Sequence, residues 1–382
     1  MGSELQVLPR VPSDPIKRSR FHGCLLGGAV GDALGAPVEF MSAPEIRQRF
    51  GIAGIHSYAQ AYGRLGAITD DTQMTLFTAE GMLRGYVRGA MRGIGAVFAN
   101  VTSHAYLRWL LTKGYRSEVL EENEPTGWLL SNQELFSLRA PGRTCIAALR
   151  AVQNFSERSR NDSKGCGGVM RIAPVGLFAA NWLEDGAPDE KLLAETFEIA
   201  CEIAAITHGH PTGQLAAGVL AVVIARLVQG TSLADAVEYA KVNLRRHAAH
   251  EETLTAVENA QTLAATRPAQ AEAVRDLGEG WIAEEALAIG LYCALCATDF
   301  QSGVMLAVNH GGDSDSTGAI TGNLLGAMKG VEAIPMRWLA PLELRGVIEA
   351  MADDLATVRE WEIGEYDDTP ECDFYWKRYP GF

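Results

Sequence analysis

Two short segments of the chain hold carboxylates and hydroxyls at a density that suggests chemistry: Thr69-Asp70-Asp71-Thr72 and Gly311-Gly312-Asp313-Ser314-Asp315-Ser316-Thr317. Each stands just ahead of a stretch whose apolar residues recur at helical spacing. Asp, Ser and Thr are good helix caps, and acids favour the positive end of a helix dipole, so either segment alone reads as a cap. A cap needs one side-chain oxygen, however, and each segment offers two carboxylates with flanking hydroxyls. Such hard oxygen donors, with no Cys and no obligatory His, suit magnesium, manganese or calcium and do not suit zinc or copper. Asp70, Asp71, Asp313 and Asp315 together carry the charge that two divalent cations would neutralise. If they met in a cleft without cations they would repel one another strongly. About 240 residues separate the segments, so only the fold can bring them together.

Two further constellations invite a reading. In Gly165-Cys166-Gly167-Gly168-Val169-Met170-Arg171, glycines would let backbone N–H groups approach an oxyanion closely; the alternative is a plain turn between helices. In Thr207-His208-Gly209-His210-Pro211-Thr212-Gly213, two histidines beside Pro and Gly serve equally well as helix-cap partners. The glycines of the 27–35 stretch fit close helix packing as well as ligand contact. Cys293 and Cys296 form a lone CxxC inside an apolar helical stretch with no partner for zinc or redox work, so they read as packing.

The elements that must position these residues read as helices almost throughout. Helical periodicity covers Thr72–Gly85, Leu192–Ile206, Leu215–Val228, Ser232–Ala248, Glu251–Ala265, Ala283–Cys296 and Thr317–Met328, whereas strand signals are few and short. With 47% hydrophobic residues and no composition break, residues 21–382 are expected to form one all-α domain whose chemistry sits on loops and helix starts. Residues 1–20, with Pro9, Pro12 and Pro15, read as an extension that is flexible or docks on a partner. A net charge of −14 argues against general nucleic-acid binding. The longest apolar run, Leu215–Val228, is broken by Arg226 and too short to cross a bilayer, and no secretory signal is visible. Seven scattered cysteines fit reduced thiols in the cytoplasm.

Four motifs in order resemble the ADP-ribosylglycohydrolase family: the 27–40 stretch Gly-Gly-Ala-Val-Gly-Asp-Ala-Leu-Gly-Ala-Pro-Val-Glu-Phe, Thr69–Met74, Gly165–Arg171 and Gly311–Gly318. The resemblance runs from about Phe21 to Gly330 and is weaker in the tail. It implies a compact orthogonal all-α bundle with a two-magnesium centre in a cleft, manganese being a possible substitute. Thr69, Asp70, Asp71, Asp313, Asp315 and Ser316 would be the metal ligands. Glu39 matches a flap glutamate beside the metals that would activate water, with Asp70 and Asp315 sharing the catalytic work. Gly165, Cys166, Gly167 and Gly168 match a loop that holds the ADP-ribose phosphates, and His208 matches a histidine near them.

The implied activity is removal of ADP-ribose from modified protein side chains. The Asp-Ser-Asp-Ser form of the last motif looks more like the arginine-directed branch. The alternative is an immunity protein that blocks an ADP-ribosyltransferase toxin through residues 1–20, with or without hydrolysis. There is one departure. Many arginine-type members carry an acid ahead of a Gly-x-Thr turn, and here the stretch is Leu138-Arg139-Ala140-Pro141-Gly142-Arg143-Thr144. The acid is missing, which leaves Arg139 or Arg143 to meet an anionic part of the substrate or to close the cleft. The aromatic tail from Asp367 to Phe382 is expected to pack over the helical body.

Overall fold

A computed structural model of the chain describes residues 10, 14–120, 127–183 and 189–381. Among these residues there are seventeen α-helices, short 3-10 turns, two isolated β-bridges and no strand, so the chain is all-helical as its periodicity predicts. The N-terminal half holds α1 (Pro15–Gly35), α2 (Ala43–Phe50), α3 (Asp70–Arg92), α4 (Phe98–Thr112), α5 (Arg143–Ala151) and α6 (Ala173–Ala180). Next come α7 (Glu190–Ala205), α8 (Pro211–Val228), α9 (Leu233–Leu244), α10 (Glu251–Thr266) and α11 (Ala271–Leu277). The chain closes with α12 (Ala283–Cys296), α13 (Phe300–Val308), α14 (Ser314–Lys329), α15 (Met336–Leu339), α16 (Arg345–Thr357) and α17 (Pro370–Arg378).

Two helix starts differ from the sequence reading. α1 begins at Pro15, inside the stretch taken as an extension. Asp14 accepts a hydrogen bond from the Ile16 N–H (2.8 Å), and Pro15 takes the first helical position, where its missing N–H costs nothing. The proline that was expected to break a helix therefore starts one. The rest of the extension, apart from Arg10, lies outside the described residues; Arg10 pairs with Glu371 (2.8 Å) and Glu362 (2.9 Å) in the C-terminal tail. α8 likewise starts at Pro211, four residues earlier than its apolar run, with His210 as cap accepting from the Thr212 N–H (3.2 Å). At 18 residues α8 is long and apolar enough to cross a membrane, but 89% of it is buried inside the fold, packed against α6, α7 and α9.

The most intimate packing in the molecule joins α1 to α14, which run antiparallel. Gly23, Gly27, Gly31 and Gly35 lie along one face of α1, one turn apart. They meet Gly326, Gly322, Gly318 and Ser314 on α14 so closely that a Cβ at any of the four would run into the facing carbonyl oxygen. Backbone touches backbone along three turns, closer than helices separated by larger side chains can come. Asn323 adds a cross-link, its amide donating to the Cys24 carbonyl (2.8 Å). Both helices are buried along this contact. The aromatic tail packs over the body as expected: Trp361 stacks on Tyr375 (centroids 3.7 Å apart), and Arg378 lies 3.9 Å from the Trp128 ring centre and pairs with Asp354 (2.7 Å).

The ladder makes opposite predictions for two glycines. Gly31→Ala puts a methyl into the α14 backbone and should lower the free energy of unfolding by about 3 kcal/mol. Gly346→Ala lies in a helix with no atom within 4 Å of the new Cβ and should be neutral or stabilising by up to about 1 kcal/mol. Urea unfolding of both variants checks the pair; equal effects would mean that the close contact is not what holds these helices.

Candidate active site

The acidic centre is assembled from the ladder outward. Asp32 sits in the last turn of α1, fully buried. Both of its carboxylate oxygens accept from the Thr69 N–H (3.0 Å each), and one also accepts from the Thr72 N–H (3.1 Å) and the Thr72 hydroxyl. α1 thereby grips the first turn of α3, while the glycine contact grips the first turn of α14. Asp70, at the start of α3, donates its N–H to the Arg139 carbonyl (3.0 Å) and accepts from the Gly142 N–H (3.1 Å). The Asp313 N–H donates to the Glu279 carbonyl (2.8 Å). Sequence reasoning did not assign Asp32 a role. Its signal was a lone acid between Gly31 and Ala33 inside an apolar helix.

Glu39, Asp70, Asp71, Asp313, Asp315, Ser316, Gly165, Cys166, Gly167 and His208 all line one cleft of about 190 Å³. Thr69 and Gly168 are not among its lining residues. Thr69 is buried as the cap of α3, its hydroxyl accepting from the Asp71 N–H (3.3 Å). Gly168 faces α8, where a Cβ would meet the Gly213 carbonyl oxygen at 2.9 Å. The capping explanation fails for the second acidic segment, because Asp313 occupies the cap position of α14 yet its side chain makes no cap hydrogen bond. Its carboxylate instead accepts from the Cys166 thiol (2.8 Å). A larger cavity of about 340 Å³ between α2, α12 and α13 contains Cys293, Cys296 and His310 but no carboxylate.

The glycine loop is one 3-10 turn, Cys166–Gly168, pinned to the start of α12 by Cys166 N–H to Trp281 carbonyl (3.1 Å) and Ala283 N–H to Lys164 carbonyl (2.8 Å). Gly167 is required by packing: a Cβ there would stand 2.9 Å from both the Cys145 sulfur and the His208 ring. His208 is held by the Thr207 hydroxyl at Nδ1 (2.8 Å), and Arg171 donates to that same hydroxyl (2.6 Å). Burial, and then the Arg171 charge, lower the His208 pKa to about 3, so the ring is neutral. At the mouth, Phe40 stacks on Trp281 (centroids 5.9 Å, planes 16° apart) with Phe40 three-quarters exposed (75%). Sequence reasoning had missed this aromatic pair, which has no local signature.

The electrostatics mark the cleft. Burial raises Asp32 to about 7, with Asp315 adding to the shift, and burial raises Asp70 to about 8. Asp71, Asp313 and Asp315 are also raised, first by burial, and for Asp71 and Asp313 by the charge of Asp315 as well. Glu39 is pushed up to about 10 by burial and then by Asp315, Asp313 and Asp70. One buried oxygen each of Asp71 and Glu39 has no hydrogen-bond partner. Among the described residues no three His, Cys, Asp or Glu side chains form a closed metal cage; the acids converge on the cleft without enclosing a point. The donor chemistry still fits a divalent cation: hard oxygens, two of them unpartnered, with Arg143 the one Lys or Arg among the described lining residues.

The departure at residues 138–144 is resolved in part. Arg139 is buried, paired with Glu343 (2.8 Å) and stacked over the Tyr62 ring (5.1 Å), so it is not free to meet substrate. Arg143 is exposed at the start of α5 and lines the cleft.

Comparison with known proteins matches residues 13–364 to the family model described as ADP-ribosylglycohydrolase. An ADP-ribosyl-[dinitrogen reductase] glycohydrolase of Rhodospirillum rubrum is 29% identical over 87% of this chain and 92% of its own. An ADP-ribosylarginine hydrolase of Serratia proteamaculans is 24% identical over 87% of this chain and 78% of its own. A solved structure titled ADP-ribosylglycohydrolase-related protein complex superposes with a TM-score of 0.59 at 27% identity, covering 90% of this chain and 98% of that one.

The raised acids predict a direction of pH dependence. Asp32 and Asp70 hold protons in the folded state up to about pH 7 and 8, whereas unfolded aspartates release them near about 4. Unfolding then releases protons, so in chelator the melting temperature should fall as pH rises from 5 to 8. Magnesium in hundredfold excess over its Kd should add about 2.7 kcal/mol per site and flatten that fall. Melting curves that respond to neither pH nor magnesium would show that the acids share no cation.

Proposed function

The chain belongs to the ADP-ribosylglycohydrolase family and is on that membership a glycosyl hydrolase; from this premise we propose that it removes ADP-ribose from arginine side chains of modified proteins. The observation that carries this reading is the meeting of two acid-bearing helix starts, from opposite ends of the sequence, in one cleft with Glu39. The names of the Rhodospirillum and Serratia relatives support protein-linked ADP-ribose as substrate, and the second supports arginine as acceptor.

In this reading Asp70, Asp71, Asp313 and Asp315, with the hydroxyls of Ser316 and of the α3 cap Thr69, would hold two magnesium ions. Bound there, the ions supply positive charge that orients the ribose hydroxyls and offsets charge in the transition state. The chain's own residues do the rest. Asp32 fixes the first turn of α3, so Asp70 and Asp71 are presented without rearrangement. Glu39, buried and beside the acids, handles the proton. With the neighbouring aspartate charges offset by bound cations Glu39 would be ionised, and it would take a proton from the attacking water as the new C–O bond forms and the C–N bond breaks, then pass that proton to the departing guanidine nitrogen. The neutral His208 and the glycine loop line the same cleft, the loop reaching the carboxylates through the Cys166 thiol at Asp313. Seven free thiols favour a reducing compartment, the cytoplasm. The alternative of toxin blocking depends on residues 1–20, most of which lie outside the described residues.

Incubation with magnesium and an ADP-ribosylarginine protein should release free ADP-ribose. Asp70→Asn and Asp315→Asn should each lower the rate by about a thousandfold, and Glu39→Gln by about a hundredfold or more, with the fold intact by circular dichroism. A wild-type protein that releases nothing, under conditions in which another ADP-ribosylarginine hydrolase is active, would refute the arginine assignment.

A further inference from the structure

The described lining of the cleft holds five carboxylates and one exposed Lys or Arg side chain, Arg143. Arg143 opens α5 and lines the cleft, and no acid or carbonyl among the described residues pairs with its guanidinium. Arg139, four residues earlier, shows what a structural arginine looks like here: buried, ion-paired and stacked on a ring. An unpaired guanidinium in a cleft crowded with acids has its planar face and five donors free for something that enters from solution.

The surroundings of Arg143 define what that is. Gly142 is tied through its N–H to Asp70, so the start of α5 cannot drift from the acidic centre. The Thr144 hydroxyl meets the Ser163 hydroxyl (3.2 Å), and Cys145 packs against the Gly167 backbone, so the start of α5 and the glycine loop form one continuous surface. The first bond inside α5 runs from the Ile146 N–H to the Gly142 carbonyl, and the N–H groups of Arg143, Thr144 and Cys145 have no acceptor among the described residues. Arg143, Thr144, Cys145, Gly165 and Gly167 thus make up a stretch of cleft lining that has donors and no acid of its own, bordered by Gly142 bonded to Asp70 and by Cys166 bonded to Asp313. For a substrate carrying both a ribose and a doubly charged pyrophosphate, this stretch offers the one Lys or Arg side chain of the described lining, while the carboxylates would be taken up by the cations proposed above.

Resting on the function proposed above, we infer that Arg143 binds the pyrophosphate of the ADP-ribosyl group and acts as a specificity residue for that part of the substrate. Arg143 is the middle residue of the Gly142-Arg143-Thr144 turn, ahead of which the expected acid is missing, so the contribution of this loop is to affinity for the nucleotide and not to proton transfer. Its loss should raise KM and leave kcat within about twofold, because it grips the substrate and its transition state alike.

Calorimetry of ADP-ribose in magnesium with wild type, Arg143→Ala and Arg143→Lys tests this, with adenosine as a phosphate-free probe. Arg150→Ala serves as a charge control, since Arg150 lies on the same helix but stacks over Tyr115. Arg143→Ala should weaken ADP-ribose binding by about tenfold or more, reduce its salt dependence, raise KM by the same factor and leave adenosine unchanged. Arg143→Lys should recover part of the loss, and Arg150→Ala should change nothing. Unaltered ADP-ribose affinity in Arg143→Ala overturns the inference, including the case in which only KM for the modified protein changes, which would assign Arg143 to the acceptor. If wild type binds ADP-ribose in an Arg143-dependent way but releases none from arginine, the acceptor assignment falls and Arg143 stands. If wild type binds no ADP-ribose, both fall.

Discussion

The contact between the glycine face of α1 and the glycine face of α14 is the constraint from which the rest of the structure follows. Side chains at these positions would hold the helices apart, so hydrogen in place of methyl is what lets the two backbones touch. The consequence is positional. Gly31 adjoins Asp32, Gly35 lies four residues ahead of Glu39, and Gly318 lies two residues after Ser316. One rigid backbone contact therefore sets Glu39, the anchor for α3 and the second acidic segment together. Asp32 then carries the placement across to Asp70 and Asp71 through bonds to the Thr69 and Thr72 backbone. The loop-closure entropy of joining two segments so far apart is met by core packing and not by the acids themselves.

The acids oppose that packing. Elsewhere among the described residues buried acids are compensated: Glu80 lies between Arg84 and Arg108, Asp354 is met by Arg378 and the Tyr379 hydroxyl, and Glu343 by Arg64 and Arg139. In the cleft the carboxylates face one another, and their pKa values rise as burial and mutual repulsion disfavour the charged forms. Among the described residues the buried acids outside this centre are each paired with a base, so unpaired negative charge is concentrated in one concave place, the proposed site of chemistry. Divalent cations fit that place because they remove both costs at once.

Seven of the seventeen helices were legible because their apolar residues recur at helical spacing; α12 falls on the residues its periodicity indicates, and α3 and α14 extend theirs by a turn or more. α1 was harder to read, since its glycine face lacks the side chains that make a hydrophobic period, and its prolines suggested a break where Pro15 makes a start. Of the twelve residues that the motif resemblance singles out, ten line the cleft. What the sequence could not reveal is what depends on long-range geometry. The role of Asp32 emerges only when α1 meets α3, the packing demand at Gly167 only when Cys145 and His208 close on it, and the different fates of Arg139 and Arg143 only when Glu343 is found beside the first.

The central claim is that the acids at the start of α3 and at the start of α14 bind the same pair of cations. Anomalous diffraction from crystals soaked in manganese tests it without reference to activity. The account predicts two manganese peaks in the cleft, with carboxylate oxygens from both Asp70–Asp71 and Asp313–Asp315 among their ligands. Manganese confined to one of these segments, or bound only at the molecular surface, would contradict it.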